Sequence, residues 1–236
     1  PSPLRRQAWL LLSLTEKRAS KLQIQTIDDL FEHKIQTSFG PVGMPKSIPR
    51  PPTFGASKIS ISEHCLKDTP ESLQAVYRVL LLLQESLGYN APVLVQMPDV
   101  VAFLLHYQPE SEAFYTAYAM VDSQSKYFEL PSSEKFDYAI RNFLPKLWSH
   151  MASLKMTSAN FAVPWFSRMF LTAVPFSFAL RIFDVYMHQG CEVHLRVGLA
   201  LLRSNMDVLL ACKTGATFLA KLAEGCKNLP LPAKVL

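Results

Sequence analysis

Residues 163–190, VPWFSRMFLTAVPFSFALRIFDVYMHQG, are the densest run of aromatic and aliphatic side chains in the chain. Two prolines and the charged residues Arg181 and Asp184 interrupt this run. A helix that crosses a bilayer needs about 20 residues with almost no charge, so a transmembrane segment is not expected here. We predict two buried helices that are joined at Pro175, the second of which ends at Gly190.

The length and composition favour one domain with a large core. The chain has 236 residues, of which 49% are hydrophobic, and no long polar or low-complexity linker divides it. Residues 39–58 begin with a dense group of prolines and glycines, which exclude helix and central strand. We expect an extended surface connection there, because the amphipathic helices on either side of it each need a partner. The predicted organisation is a single domain over residues 1–236.

Charge and cysteine spacing narrow the classes of partner. The formal net charge of +5 and the pI near 9.0 favour an acidic protein surface, an anionic membrane or nucleic acid. The chain has no Lys/Arg run interleaved with aromatic residues and no zinc-finger spacing, so nucleic acid is not expected. Its four cysteines lie far apart, which suggests neither a disulfide framework nor a zinc site. We therefore expect reduced thiols, an intracellular location, and neither metal nor cofactor.

Helical signals recur along the rest of the chain, and the predicted fold class is all-α. In the first helix Leu4, Trp9 and Leu11 belong to an apolar side that should be buried. Thr26 is a predicted N-cap, and a bend is expected at Pro145. Outside residues 163–190, the predicted helices are 3–18, 27–36, 70–87, 98–107, 111–121, 133–154, 192–203 and 217–227.

The motif order in residues 163–190 resembles the signature of the TBC domain, the helical domain of GTPase-activating proteins for Rab small GTPases. The matching motifs are Trp165-Phe166, Val174-Pro175, Leu180-Arg181-Ile182-Phe183-Asp184 and Gly190. The opening Leu4-Arg5-Arg6-Gln7-Ala8-Trp9 and the later Leu144-Pro145 segment are similar to the same family, so the resemblance extends from Leu4 to about Lys227. It implies a multi-helix domain that engages a Rab-type GTPase in vesicle traffic.

An ordinary active site is not evident from the sequence. The six histidines do not fall at metal-ligand spacing with a partner acid, and neither a Gly-x-Ser-x-Gly elbow nor a Gly-rich phosphate loop is present. Each histidine is interpreted as a surface or core residue. A GTPase activator needs little chemistry of its own, because an inserted arginine and a glutamine amide can supply charge stabilisation and water positioning.

The resemblance assigns these two roles to Lys67 and Gln96. TBC domains carry the arginine in an Ile-x-x-Asp-x-x-Arg segment and the glutamine in a Tyr-x-Gln-Gly segment. Here the first segment has Ile61, His64 and Lys67, and the second reads Leu94-Val95-Gln96-Met97. Arginine presents a planar fork to two phosphate oxygens, whereas lysine is a compact point charge. The resemblance therefore implies GTPase activation, and the lysine predicts that this activation is weakened.

With these departures from the TBC pattern, at Lys67 and around Gln96, the sequence is similar to the Skywalker-like subgroup of TBC domains. That subgroup also lacks the arginine finger and is associated with phosphoinositide binding. The residues that match the basic pocket of that subgroup are Arg5 and Arg181. Arg181 has an alternative interpretation, an internal ion pair with Asp184 one helical turn later. Two functions thus remain open: a Rab GTPase activator, or a non-catalytic module that binds phosphoinositides or serves as an adaptor. Both predict a cytoplasmic protein associated peripherally with vesicle or plasma membranes.

Overall fold

The structure is a computed structural model that describes residues 3–13, 26–45, 48, 69–87, 97–121 and 131–229. Those residues contain twelve α-helices, one short 3-10 helix and no β-strand. The prediction of an all-α fold is confirmed. The chain divides into two compact units, Pro1–Phe128 and Glu129–Leu236. A single domain over the whole chain stays a prediction.

The first unit is built around its last described helix. Its helices are α1 (Pro3–Ser13), α2 (Ile27–Phe39), α3 (Pro70–Leu87), α4 (Met97–Leu105) and α5 (Glu110–Val121). Helix α5 packs against each of the other four. Nine of its twelve residues are buried, as expected for a helix that is enclosed on all sides.

Local sequence signals account for where α2 begins and ends. The Thr26 hydroxyl accepts a hydrogen bond from the Asp29 amide, and the Asp29 carboxylate accepts one from the Thr26 amide, both at 3.1 Å. This capping box satisfies two amides that the helix leaves unpaired. Gly40 ends the helix with a φ of 72°, and its amide donates to the Gln36 carbonyl. The predicted cap and stop are both confirmed, and the helix runs three residues beyond its predicted end.

The predicted connection at residues 39–58 is only partly described. Residues 40–45 are not helical, and the side chain of Val42 is 93% exposed. Ile48 is buried, and its amide donates to the Gln74 side chain of α3 at 2.9 Å. A surface path is therefore wrong at Ile48, because the side chain of Gln74 holds the backbone there. The remaining residues of the connection lie outside the described ranges.

The predicted burial of α1 is wrong for most of its apolar residues. Trp9 is 1% exposed and packs on Phe103 and Tyr107, with ring centroids 5.6 and 5.2 Å away. By contrast, Leu4 is 75% exposed and Leu11 is 69% exposed. The physical reason is that Arg6, one turn before Trp9, is bound by the Glu112 carboxylate of α5, which sets the rotation of the helix about its axis. Apolar periodicity alone does not contain that information.

The second unit contains seven α-helices in its described part. They are α6 (Ser133–Phe143), α7 (Pro145–Ser153), α8 (Ala162–Ser167), α9 (Phe176–Gln189), α10 (Val193–Ser204), α11 (Met206–Leu210) and α12 (Gly215–Lys227), with a 3-10 turn at Ser158–Asn160. The single bent helix predicted for 133–154 is two helices. Leu144, the residue before Pro145, leaves the helical conformation, as the residue before proline tends to do. Helix α11 was not predicted.

The stretch 163–190 forms two helices, but a turn lies between them. Helix α8 ends at Ser167, and Met169 and Phe170 adopt left-handed conformations with φ of 53° and 59°. The amide of Phe170 donates to the Trp165 carbonyl at 2.8 Å, which closes the end of α8. Pro175 then precedes α9, which ends at Gly190 as predicted. The predicted joint at Pro175 is thus the end of a turn over residues 168–174.

Aromatic packing fills the core of the second unit. Trp165 lies 5.1 Å from Phe161 and 5.7 Å from Phe170, measured between ring centroids, and both it and Phe183 are buried as predicted. Helix α10 contributes a close approach at Gly198, where a Cβ atom would lie 2.6 Å from the Phe136 ring. The glycine therefore allows the ring of α6 to lie against the backbone of α10.

No helix in the described ranges is both long enough and apolar enough to cross a membrane.

Replacement of Trp165 by alanine should lower the free energy of unfolding by about 3–5 kcal/mol, because it leaves a cavity among packed rings. Chemical denaturation of the parent and of Trp165→Ala measures this difference. The matched control is Phe143→Ala, since Phe143 belongs to the same unit and is mostly exposed. Equal losses in the two variants would contradict a core role for Trp165.

Candidate functional site

The first turn of α5 binds arginines from two other helices. Arg6 of α1 donates from Nε and Nη2 to the two carboxylate oxygens of Glu112, each at 2.8 Å. Arg78 of α3 makes the same two-pronged contact with Glu110, through Nε at 2.8 Å and through Nη2. A bidentate pair restricts orientation as well as distance. The two pairs therefore set how α1 and α3 are rotated against α5.

A third helix is attached at the residue between the two glutamates. The Ser111 hydroxyl donates to the Asp28 carboxylate in the first turn of α2. Hydrogen bonding to Glu112 raises the pKa of Arg6, and hydrogen bonding to Glu110 raises the pKa of Arg78. Arginine is charged at any physiological pH in any case, so these raised pKa values do not alter the charge of either arginine in that range. We refer to Glu110, Ser111 and Glu112 as the α5 anchor.

The two sequence-predicted catalytic positions, Lys67 and Gln96, lie outside the described residues, as do Ile61 and His64. The helices that follow the two positions are described. Helix α3 begins at Pro70, and α4 begins at Met97 directly after Gln96. These helices pack against each other and against α5. Each predicted catalytic residue therefore leads into a helix that the core of the first unit holds.

The starts of those two helices are ordered by local contacts. The Thr69 hydroxyl accepts a hydrogen bond from the Ser72 amide at 3.3 Å, as an N-cap does. Met97 and Pro98 are both buried, so α4 enters the core from its first residue. These features restrict the backbone at Thr69, two residues after Lys67, and at Met97, directly after Gln96.

The two predicted lipid-binding residues belong to different units. Arg5 lies on α1 and is half-buried, whereas Arg181 is exposed in the middle of α9. Asp184, the alternative partner of Arg181, is half-buried one turn further along the helix. A basic pocket that contains both arginines stays a prediction.

The most strongly perturbed histidine is part of the core of the second unit. His194 packs among the rings of Phe166, Phe170 and Tyr186, and its Nδ1 lies 2.8 Å from the Cys191 carbonyl oxygen. Burial lowers its pKa to about 4, so the ring is neutral at physiological pH. The interpretation of this histidine as a core residue is confirmed. Within the described ranges no three His, Cys, Asp or Glu side chains lie close enough to hold a metal ion.

Sequence reasoning did not find the α5 anchor. Two glutamates within three residues after Pro109 are a recognisable helix start, since acidic residues are favourable in a first turn. Their partners, however, are 106 and 32 residues away in the chain. A pairing at such separations depends on how the helices pack, and one sequence does not show it.

Comparison with known proteins identifies the family. A model of the Rab-GTPase-TBC domain matches residues 2–210. Among curated proteins, the human ecotropic viral integration site 5 protein homolog is 36% identical over 119 residues, which are 47% of this chain and 15% of that protein. Matched stretches cover only 12% to 19% of the length of such relatives.

Solved structures show the same fold. The crystal structure of the Chlamydomonas flagellar RabGAP TBC domain has a TM-score of 0.70 at 20% identity, over 96% of this chain and 76% of the other. The TBC domain of Skywalker/TBC1D24 from Drosophila melanogaster, solved with inositol(1,4,5)triphosphate, has a TM-score of 0.58 at 22% identity, over 97% and 81%. Because the family match spans most of the residues and the fold agrees with it, the chain belongs to the Rab-GTPase-TBC domain family of Rab GTPase regulators.

Proposed function

We propose that this chain stimulates GTP hydrolysis by a Rab-type small GTPase, with Lys67 and Gln96 as its catalytic side chains. The stimulated rate should be lower than with a TBC domain that has an arginine in the position of Lys67. Membership of the Rab-GTPase-TBC family supports the proposed reaction and the proposed class of partner. The observation that carries the assignment to these two residues is their position in the chain. Gln96 directly precedes α4, Lys67 lies three residues before the start of α3, and both helices pack against α5.

The reaction needs two contributions from the activator. Water attacks the γ-phosphorus of GTP, the bond to the β,γ-bridging oxygen breaks, and GDP and phosphate leave. Negative charge on the phosphoryl oxygens must be stabilised during this step, and the attacking water must be oriented. In the proposal, the Lys67 ammonium supplies the positive charge and the Gln96 amide orients the water.

The lysine is the reason for the reduced rate. A guanidinium contacts two phosphate oxygens at once, whereas an ammonium is a strongly hydrated point charge that must lose water to make one such contact. An arginine finger contributes on the order of a thousandfold or more to the rate. A lysine in its place keeps the charge but loses the two-pronged geometry, so most of that factor should be lost.

Substitution at Lys67 tests this proposal. Phosphate release from a panel of GTP-loaded Rab proteins should be stimulated weakly by the parent, less by Lys67→Ala, and more strongly by Lys67→Arg. Lys213→Ala is a matched control, because this exposed lysine lies in the other unit. Strong stimulation that Lys67→Ala leaves unchanged would assign the catalytic charge to a different residue.

A second function, binding of a phosphoinositide membrane, is favoured by a specific observation. A TBC domain of the same fold has been solved with inositol(1,4,5)triphosphate, the headgroup chemistry of such lipids. The arginines that the sequence resemblance assigns to a basic pocket in this chain are Arg5 and Arg181, and the net charge of +5 favours an anionic surface. We propose that these arginines contact lipid phosphates when the protein associates peripherally with a cytoplasmic vesicle or plasma membrane.

Vesicle binding at several salt concentrations tests the lipid proposal. Binding to phosphatidylcholine vesicles that contain phosphatidylinositol bisphosphate should weaken as salt rises, because salt screens exposed charges. Arg5→Ala and Arg181→Ala should each weaken it further without lowering the melting temperature, whereas the control Arg203→Ala, an exposed arginine on α10, should not. Loss of stability in Arg181→Ala with vesicle binding intact would make Arg181 part of the scaffold.

A further inference from the structure

Helix α1 turns a row of apolar side chains to the outside of the first unit. Leu4, Ala8 and Leu11 occupy positions i, i+4 and i+7, which follow one another along a single face of a helix. All three are exposed, and the two leucines are among the most exposed large apolar side chains in the described part of the chain. We call these three residues the leucine row.

The rotation of α1 is set from its opposite side. Trp9 is enclosed by the rings of Phe103 and Tyr107, and the Arg6 guanidinium is held by both oxygens of Glu112. Turning the leucine row inward would remove the tryptophan from its site and leave the charge of Glu112 without its arginine. Both changes are unfavourable. The row therefore stays outside in the structure of this unit.

We infer that the leucine row enters the interfacial layer of an anionic lipid bilayer when the protein is bound to a membrane. This inference rests on the membrane function proposed above and adds an apolar contribution to it. Helix α1 has no acidic residue, and of its two arginines Arg6 is paired with Glu112 on the opposite side, so the cationic residue beside the row is Arg5. Cationic charge beside exposed leucines is the composition of helices that lie in a membrane interface. Arg5, next to Leu4 in the chain, would then be near the lipid headgroups.

A bilayer fits the leucine row better than a protein partner does. Energetically dominant residues of protein interfaces are enriched in tryptophan, tyrosine and arginine, and leucine is under-represented among them. Here the one aromatic residue of α1, Trp9, is turned inward. The outer row offers aliphatic side chains only, which need burial but no hydrogen-bonding partner. Lipid chains meet that need without a shaped partner surface.

The test uses the double variant Leu4→Ser/Leu11→Ser of the full chain. Its binding to phosphatidylcholine vesicles with phosphatidylinositol bisphosphate, and to vesicles with phosphatidylserine instead, should fall by about tenfold or more, since burial of a leucine is worth that order. The loss should persist at high salt, unlike the loss in Arg5→Ala. The matched control is Val42→Ser, an exposed apolar residue in the loop after α2, which should bind as the parent does. The maximum surface pressure at which the protein enters a lipid monolayer should also fall for the double variant alone.

Four results would overturn the inference. Unchanged vesicle binding of the double variant, with weaker binding of Arg5→Ala, would leave the lipid function standing without insertion. Failure of the parent to bind any of these vesicles would refute the lipid function and the insertion together. A lower melting temperature of the double variant, with no specific loss of monolayer entry, would show that the leucines are packed against this chain itself. Weaker stimulation of Rab GTP hydrolysis with unchanged vesicle binding would assign the row to a protein partner.

Discussion

The contact between the first turn of α5 and two arginines is the constraint on which the first unit depends. Each glutamate binds its arginine through two oxygens, and the serine between them binds an aspartate of α2. Exposed ion pairs add little to stability, but Glu112 is mostly removed from water, with a side chain that is only 11% exposed. Loss of its arginine would leave a nearly buried charge unpaired, which is costly. The pairs therefore act mainly by excluding other rotations of α1 and α3.

This constraint has consequences for both proposed functions. It holds α3, which follows Lys67, and it turns the leucine row of α1 outward. A catalytic side chain contributes to rate only when its approach to the phosphate is restricted in advance, because ordering it during the reaction would cost entropy. The buried start of α4 restricts the residue after Gln96 in a similar way. The scaffold and the proposed chemistry are thus linked through the same few helix starts.

The second unit depends on a different kind of contact. Its signature stretch is held by rings that lie 5 to 6 Å apart, and a neutral histidine is packed among them. Gly198 lets the ring of Phe136 reach the backbone of α10. Such packing has little tolerance for a change of side-chain volume. The prominence of this stretch in the family resemblance is therefore consistent with its role in the core.

The sequence by itself determined the all-α class, the family, and most helix ends, because caps, prolines and glycines act within a few residues of where they occur. Thr26, Pro70 and Gly190 are examples. Tertiary structure alone decided which face of α1 is buried and which glutamate holds which arginine. Leu4 and Trp9 look equally suited to a core in the sequence, and only the rings of Phe103 and Tyr107 and the Arg6–Glu112 pair select the tryptophan. The physical reason is that hydrophobic periodicity reports how apolar a helix face is, whereas its orientation depends on partners that are distant in the chain.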